Sequence, residues 1–237
     1  MPNGCFTNLP ALRLPDFIVS TADGTAVNQR ITLPIDKLES EILAALAGHQ
    51  VLILQAPPGS GKTTRVPQFL LKERAGKTLI LEPRRLAARL SAERVAEELG
   101  QSAGQDVGYH IRYEKVAGAD TRCIFMTEGL FLRTLLSDPS LKNVDTVILD
   151  EFHERHLHSD IAFAMVRMLQ SGVRPDLKLI IMSATLDTEK LSLKIPDAAL
   201  LKAEVPTFPV DIEYDAGTDD RPLEWRVAVA VESLLRI

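Results

Sequence analysis

Two short stretches of this sequence hold residue types that can do chemistry at a fixed spacing. The first, APPGSGKTT at 56–64, fits the phosphate-loop pattern A-x-x-x-x-G-K-T, with Ala56 where the first glycine usually stands. Small residues let such a loop fold tightly, so that successive backbone N–H groups point at phosphate oxygens. Lys62 can reach the β- and γ-phosphates, and the Thr63 hydroxyl can join the ligands of a magnesium ion. The pattern predicts a nucleoside triphosphate site, with an ordinary glycine turn as the alternative.

The second stretch, VILDEFHERHLHSD at 147–160, places carboxylates and histidines directly after an aliphatic run. Asp150 ends that run and is a candidate carboxylate for the magnesium ion. Glu151 follows at once, so it can orient a water molecule towards the γ-phosphate while Asp150 serves the metal. Two adjacent carboxylates with divided roles predict hydrolysis rather than binding alone.

Three histidines in the second stretch offer a zinc site as an alternative. His153, His156 and His158 are three and two positions apart, whereas helical zinc ligands favour i, i+4 spacing, and no cysteine lies nearby. We therefore interpret His156 and His158 as solvated loop residues and keep His153 as the one histidine of a nucleotide site.

Bulk composition indicates an ordinary globular protein. The 237 residues carry a net charge of −5, so any site for a polyanion must be a local basic patch. The only cysteines, Cys5 and Cys123, lie far apart, which favours a reducing compartment over a disulfide framework. No signal peptide and no apolar run of the ~20 residues needed to span a bilayer occur, so we expect a cytoplasmic protein without a membrane anchor.

Short apolar runs alternate with helical periodicity along the chain, which predicts an α/β fold with a mostly parallel sheet covered by helices on both faces. In such sheets, ligands bind at the carboxyl ends of the strands, where both stretches above fall. The predicted strands are 51–55, 78–82, 107–113, 122–127, 144–150 and 177–183. The predicted helices are 35–46, 62–74, 84–99 (with Leu86, Leu90, Val95 and Leu99 as its apolar residues), 129–137 and 161–170.

Five motifs in a fixed order resemble the DEAH-box family of superfamily 2 ATP-dependent helicases. Phe152 in the acidic motif, EPRRLAAR and the later FPV at 208–210 resemble its bacterial HrpB-like branch. The likeness extends from about Leu33 to Tyr214 and implies a RecA-like P-loop NTPase domain. The motifs are APPGSGKTT (56–64), EPRRLAAR (82–89), MTEGL (126–130), LDEFHER (149–155) and MSATLD (182–187).

The resemblance implies a role for individual residues around Mg-ATP. Asp150, Glu151 and Thr63 would hold Mg²⁺, and Glu151, Asp150, Lys62 and His153 would form the catalytic set. His153 would couple this site to Ser183 and Thr185 of the SAT motif, and Arg94 would stack on adenine. The residues expected to bind the ATP phosphates are Pro58, Gly59, Ser60, Gly61, Lys62, Thr63 and Thr64.

A second set of residues is expected to contact single-stranded nucleic acid, for which we expect RNA. Arg84 and Arg85 follow a strand end and open a helix, where arginines can bind phosphates, although arginines at helix starts also often pair with surface acids. By resemblance, Thr127 and Gly129 occupy the equivalent place one strand away, and 112–113 (Arg112 and Tyr113) form a hook-like turn. Backbone contacts of this kind predict little sequence preference and strong salt dependence.

We interpret the chain as the first motor domain of an HrpB-like helicase. Residues 1–31 read as an irregular extension, 32–205 as a RecA-like ATP-binding domain, and 206–237 as a linker with the start of a second RecA-like domain. The arginine-rich R-x-G-R-x-G-R motif, which in this family supplies arginine fingers from the second domain, is absent. We therefore expect very slow hydrolysis by this chain alone. The alternative is a catalytically idle nucleotide- or RNA-binding module that acts through a partner.

Overall fold

The structure is a computed structural model, and it describes residues 32–184, 191, 193–204, 212, 214 and 221–235. The chain divides into two units, and Arg30–Thr207 is the larger. The smaller unit contributes the helix Leu223–Leu234, whose residues are all at least partly exposed. Thr185 and the 208–210 segment lie outside the described residues.

An eight-stranded sheet forms the centre of the larger unit. Its spatial order is β4-β3-β5-β2-β6-β7-β1-β8, and every neighbouring pair is parallel except β3 with β4. The fold prediction, a mostly parallel sheet within an α/β fold, is confirmed. The strands are β1 (Val51–Gln55), β2 (Lys77–Glu82), β3 (Val107–Ile111), β4 (Glu114–Val116), β5 (Cys123–Thr127), β6 (Val144–Leu149), β7 (Lys178–Ser183) and β8 (Ala198–Lys202).

Helices cover both faces of this sheet because its strands are apolar on both sides. Along β1, Leu52 and Leu54 pack into one core with α1, α2 and α3, whereas Val51 and Ile53 pack into the opposite core with α4 and α5. The helices are α1 (Glu39–Gly48), α2 (Lys62–Glu73), α3 (Arg85–Glu98), α4 (Glu128–Ser137) and α5 (Leu157–Ser171), with short 3-10 helices at Pro34–Leu38 and Phe152–Glu154.

The structure differs from the sequence prediction mainly at the edges of the sheet. Strands β4 and β8 were not predicted, because one has three residues and the other is only partly buried. In α3, Leu86 and Leu90 are exposed, and the core side of the helix is formed by small residues such as Ala88 and Ala92. Among the described residues, no helix is long and apolar enough to cross a membrane.

Candidate nucleotide and nucleic-acid site

The phosphate loop joins the carboxyl end of β1 to the start of α2. Gly59 and Gly61 both adopt left-handed backbone angles, with φ of 77° and 91°, which glycine adopts at little cost. Gly61 has a second reason to be glycine, because a Cβ there would lie 2.6 Å from Leu33 Cδ1. The segment before α1 therefore packs directly on the loop, and the Ile35 N–H donates to the Ser60 carbonyl at 3.1 Å.

The acidic stretch, which follows β6, contacts the phosphate loop, which follows β1, at the carboxyl edge of the sheet. Thr63 Oγ1 donates to Asp150 Oδ2 at 2.5 Å, and Lys62 Nζ lies 2.9 Å from Glu151 Oε1. Asp150 follows β6 directly, and its Oδ1 accepts from the Glu151 N–H at 2.8 Å. The lysine and hydroxyl from one motif and the two carboxylates from the other thus form one polar cluster, in which Lys62 and Asp150 are buried.

Burial dominates the electrostatics of this cluster. It raises the pKa of Asp150 above its ordinary value, although Lys62 and the Thr63 hydrogen bond favour the charged form. A third carboxyl group, Glu82 at the end of β2, has its pKa raised further by burial and then by the negative charges of Asp150 and Glu151. Its Oε1 atom is buried without a hydrogen-bond partner.

Sequence reasoning missed Glu82 as part of this cluster, although it opens the EPRRLAAR motif. The signal was its position as the last residue of a predicted strand. What the sequence does not give is the strand order, which places β2 beside β6 and so brings Glu82 next to the acid pair. Sequence reasoning also had no ground to single out Glu128, the first residue of α4. In the structure its carboxylate is buried and accepts a hydrogen bond from the Ser159 hydroxyl of α5.

The three histidines of the acidic stretch lie in different surroundings. His153 Nδ1 lies 3.3 Å from Glu151 Oε2, whereas His156 and His158 are exposed. His158 lies in the first turn of α5 rather than in a loop, which is a correction to the sequence interpretation. In the part of the chain that is described, no group of three His, Cys, Asp or Glu residues converges as metal ligands would. The oxygen donors of Thr63 and Asp150 are ligands of the kind that Mg²⁺ prefers beside substrate phosphates.

Ser183 ends β7 next to the phosphate loop. It is buried, it pairs in register with Gln55 of β1, and its carbonyl accepts from the Ala56 N–H at 3.0 Å. A shift of β7 relative to β1 would therefore act directly on the first residue of the loop. Thr185, its expected partner in coupling, lies outside the described residues.

Arg94 lies on the exposed face of α3 and is held by two acids of the same helix. Its Nε donates to Glu98 Oε1 at 2.9 Å, and its Nη1 donates to Glu97 Oε2 at 3.2 Å. Glu98 also reaches α2, where its Oε2 lies 2.9 Å from Arg65 Nη1 and accepts from Gln68 at 2.8 Å. Arg94 is therefore connected through Glu98 to the helix that begins at Lys62.

The candidate nucleic-acid residues lie at the ends of β2, β5 and β3. Arg84 and Arg85 follow β2 and are exposed, and Thr127, which pairs with Glu82 in register, ends β5 just before Gly129 of α4. The tip of the β3–β4 hairpin is formed by 112–113, both exposed, with the Arg112 guanidinium 4.7 Å from the Tyr113 ring centre.

The carboxyl edge of the sheet is thus divided into two halves. The candidate nucleic-acid residues follow β3, β5 and β2, in the spatial order of the strands. The nucleotide candidates follow β6, β7 and β1, except Arg94, which lies on α3 after β2. The halves meet between β2 and β6, where Arg84 of one half forms an ion pair with Glu154 of the other at 2.9 Å.

A family model described as DEAD/DEAH box helicase matches residues 37–193. The chain belongs to the DEAD/DEAH box helicase family. Over 207 residues it is 43% identical to the ATP-dependent RNA helicase HrpB of Escherichia coli (strain K12), covering 86% of this chain and 26% of that protein. Over 186 residues it is 38% identical to the human protein named probable ATP-dependent RNA helicase DHX34, covering 78% of this chain and 16% of that protein.

Solved structures give the same relationship. A crystal structure of E. coli HrpB aligns with a TM-score of 0.78 at 43% identity, covering 86% of this chain and 26% of that one. A second HrpB crystal structure gives a TM-score of 0.73 at 42% identity, with 88% and 26% covered. The predicted resemblance to HrpB-like DEAH-box helicases and the RecA-like fold are confirmed. The chain spans about a quarter of the length of these HrpB relatives.

Proposed function

We propose that this DEAD/DEAH box domain is the ATP-binding motor of an RNA helicase, which binds Mg-ATP on one half of the carboxyl edge and single-stranded RNA on the other. The observation that carries the proposal is the meeting of the two motifs, Lys62 with Glu151 at 2.9 Å and Thr63 with Asp150 at 2.5 Å. An ordinary glycine turn would not require a buried lysine and a buried aspartate at the same place. We take 32–205 as this domain.

Each residue of the cluster has a distinct role in this proposal. The backbone of 58–64 binds the phosphates, and Lys62 exchanges its contact with Glu151 for the β- and γ-phosphates. Thr63 and Asp150 would hold Mg²⁺, which when bound neutralises charge on the β- and γ-phosphate oxygens. Glu151, once released by Lys62, orients the attacking water, and His153 Nδ1 lies 3.3 Å from the second oxygen of Glu151.

RNA is the proposed nucleic acid because relatives of this chain are named RNA helicases. The exposed arginines Arg84, Arg85 and Arg112 can contact phosphates, while Thr127 and Gly129 offer small groups at the start of α4. These contacts carry no base information, so binding with little sequence preference is expected.

Hydrolysis at full rate is proposed to need a second RecA-like domain that supplies arginine fingers. An arginine finger contributes about 10³–10⁵ in rate. The R-x-G-R-x-G-R motif is absent from the 237 residues, so this chain is expected to bind Mg-ATP and hydrolyse it slowly. Comparing ATPase rates of this chain with and without a supplied second domain separates this proposal from an idle binding module, for which the added domain would change nothing.

Substitution of Lys62 tests the nucleotide site. Lys62→Ala removes the cation that faces the phosphates, so the affinity for a fluorescent ATP analogue, measured by titration with Mg²⁺ present, is expected to fall at least about tenfold. Lys72→Ala is the matched control, because Lys72 lies in the last turn of the same helix and pairs with Glu39 on the surface. Equal affinities for the wild type and Lys62→Ala would overturn the assigned site.

A further inference from the structure

The ion pair between Arg84 and Glu154 joins the two halves of the carboxyl edge. Arg84 Nη2 lies 2.9 Å from Glu154 Oε1, and the side chains are 72% and 25% exposed. Arg84 directly precedes α3, among the candidate nucleic-acid residues, whereas Glu154 ends the 3-10 helix that follows the acid pair. This contact therefore links a phosphate-binding candidate to the segment that carries the proposed catalytic residues.

The segment that holds Glu154 has an unusual backbone. The 3-10 helix Phe152–Glu154 lies between Glu151 and Arg155, which are both non-glycine residues in the left-handed region, with φ of 49° and 52°. The Glu154 N–H donates to the Glu151 carbonyl at 2.9 Å. Such backbone angles persist only where surrounding contacts impose them, so the contacts of Glu154 are among those that bear on the backbone at Glu151.

A nucleic-acid phosphate and the Glu154 carboxylate would compete for the same guanidinium. Both are anions that accept charge-assisted hydrogen bonds from arginine. Exposed ion pairs typically change an equilibrium by only about 1.5- to 5-fold, so a phosphate can displace the carboxylate. Glu154 keeps a neighbour after displacement, because His156 Nε2 lies 3.5 Å from its other oxygen.

We propose that Glu154 is a positioning residue that competes with nucleic-acid phosphate for Arg84. Binding of single-stranded RNA then releases Glu154 and shifts the segment from Glu151 to Arg155. This inference rests on the proposed function. It assigns to one ion pair the communication between the RNA half and the nucleotide half of the edge.

Binding of a fluorescently labelled oligouridylate, followed by anisotropy at low salt, tests the competition. Glu154→Gln removes the competing charge and is expected to tighten binding by about 1.5- to 5-fold, a gain that a misfolded variant would not give. The gain is expected to vanish in the double variant with Arg84→Ala. It is expected to persist in the double variant with Arg85→Ala.

A charge-matched control separates competition from general electrostatics. Glu41→Gln, on the exposed side of α1, changes the net charge equally and is expected to leave affinity unchanged. A gain for Glu154→Gln that survives Arg84→Ala, or an equal gain for Glu41→Gln, would overturn the inference. No gain for Glu154→Gln while Arg84→Ala weakens binding would also overturn it but leave the RNA site standing. If neither Arg84→Ala nor Arg85→Ala weakens binding, the proposed RNA site itself fails.

The transmission to the nucleotide half has its own measurement. A shift of the segment from Glu151 to Arg155 on RNA binding is expected to change the affinity of the wild type for a fluorescent ATP analogue when the oligouridylate is present. By thermodynamic reciprocity, the nucleotide then changes the affinity for the oligouridylate by the same factor. In Glu154→Gln the effect of the oligouridylate on the affinity for the ATP analogue is expected to be smaller, because the ion pair that RNA binding would break is already weakened. An equal change in both proteins, or no change in the wild type, would overturn the transmission.

Discussion

At the scale of single residues, the cluster at the carboxyl edge combines several buried acids with one buried lysine. Glu82 is the extreme case, because it is buried beside Asp150 and Glu151 and its pKa is raised by burial first. A carboxyl group whose pKa is raised on folding stabilises the folded state most below its ordinary pKa of about 4.3. That contribution is lost progressively as the pH rises through the folded pKa.

Replacement of Glu82 tests whether its contribution to stability falls as the pH rises. Glu82→Gln keeps the shape of the neutral acid and cannot ionise, so its free energy of unfolding relative to the wild type is expected to increase as the pH rises from 5 to 8, by up to about 1.4 kcal/mol per pH unit. Urea denaturation at a series of pH values measures the difference. A difference in the free energy of unfolding between the two proteins that does not vary from pH 5 to 8 would show that Glu82 is ionised in the folded state.

Gly61 is a second residue whose identity is dictated locally. An alanine there needs a left-handed backbone and places its Cβ 2.6 Å from Leu33 Cδ1, so Gly61→Ala is expected to lower the free energy of unfolding by about 2–4 kcal/mol. Gly48→Ala is the control, since nothing lies within 4 Å of a Cβ at that helical position and its φ is not positive. Thermal unfolding distinguishes them, and similar losses for both would contradict the account.

At the scale of elements, Glu98 binds α2 to α3 behind the phosphate loop. Its side chain is 12% exposed and contacts Arg65 and Gln68 of α2 as well as Arg94, whereas that of Glu97 is 74% exposed and contacts Arg94 alone among the contacts described. Glu98→Ala is expected to lower the free energy of unfolding by about 1–3 kcal/mol, and Glu97→Ala by less than about 0.5 kcal/mol. Urea denaturation of both variants measures the two losses of unfolding free energy. Equal losses for Glu98→Ala and Glu97→Ala would contradict this account of Glu98.

At the scale of the whole molecule, a chain with net charge −5 is proposed to bind a polyanion through one edge of one sheet. Such binding depends on a few local cations, so affinity for single-stranded RNA is expected to fall steeply with salt. Arg85→Ala is expected to reduce the slope of log affinity against log salt by about 0.7, the value for one phosphate contact on a single strand. Fluorescence anisotropy at several salt concentrations measures it, and an unchanged slope would remove Arg85 from the contact surface.

Much of the fold and of the candidate site was readable from the sequence because the signals are local. Apolar runs such as 51–55 form buried strands wherever helices cover both faces, and the glycines of 56–64 allow the left-handed backbone that a tight loop needs. Leu86 and Leu90 belong to the apolar residues from which the helix α3 is predicted, yet both are exposed. Helical spacing locates a stripe of apolar residues, but packing against the sheet decides which side is buried, and here small alanines fit there.

Residue types and their order determined that this chain is an α/β protein with a phosphate-loop motif, an acid pair and arginines that follow a strand end. Only the tertiary structure decided which of these groups meet, because strand order follows from long-range pairing and not from neighbouring residues. That order brings Glu82 beside Asp150 and sets Arg84 against Glu154. The physical reason is that charge interactions act through space, between strand ends that lie about seventy residues apart in the chain.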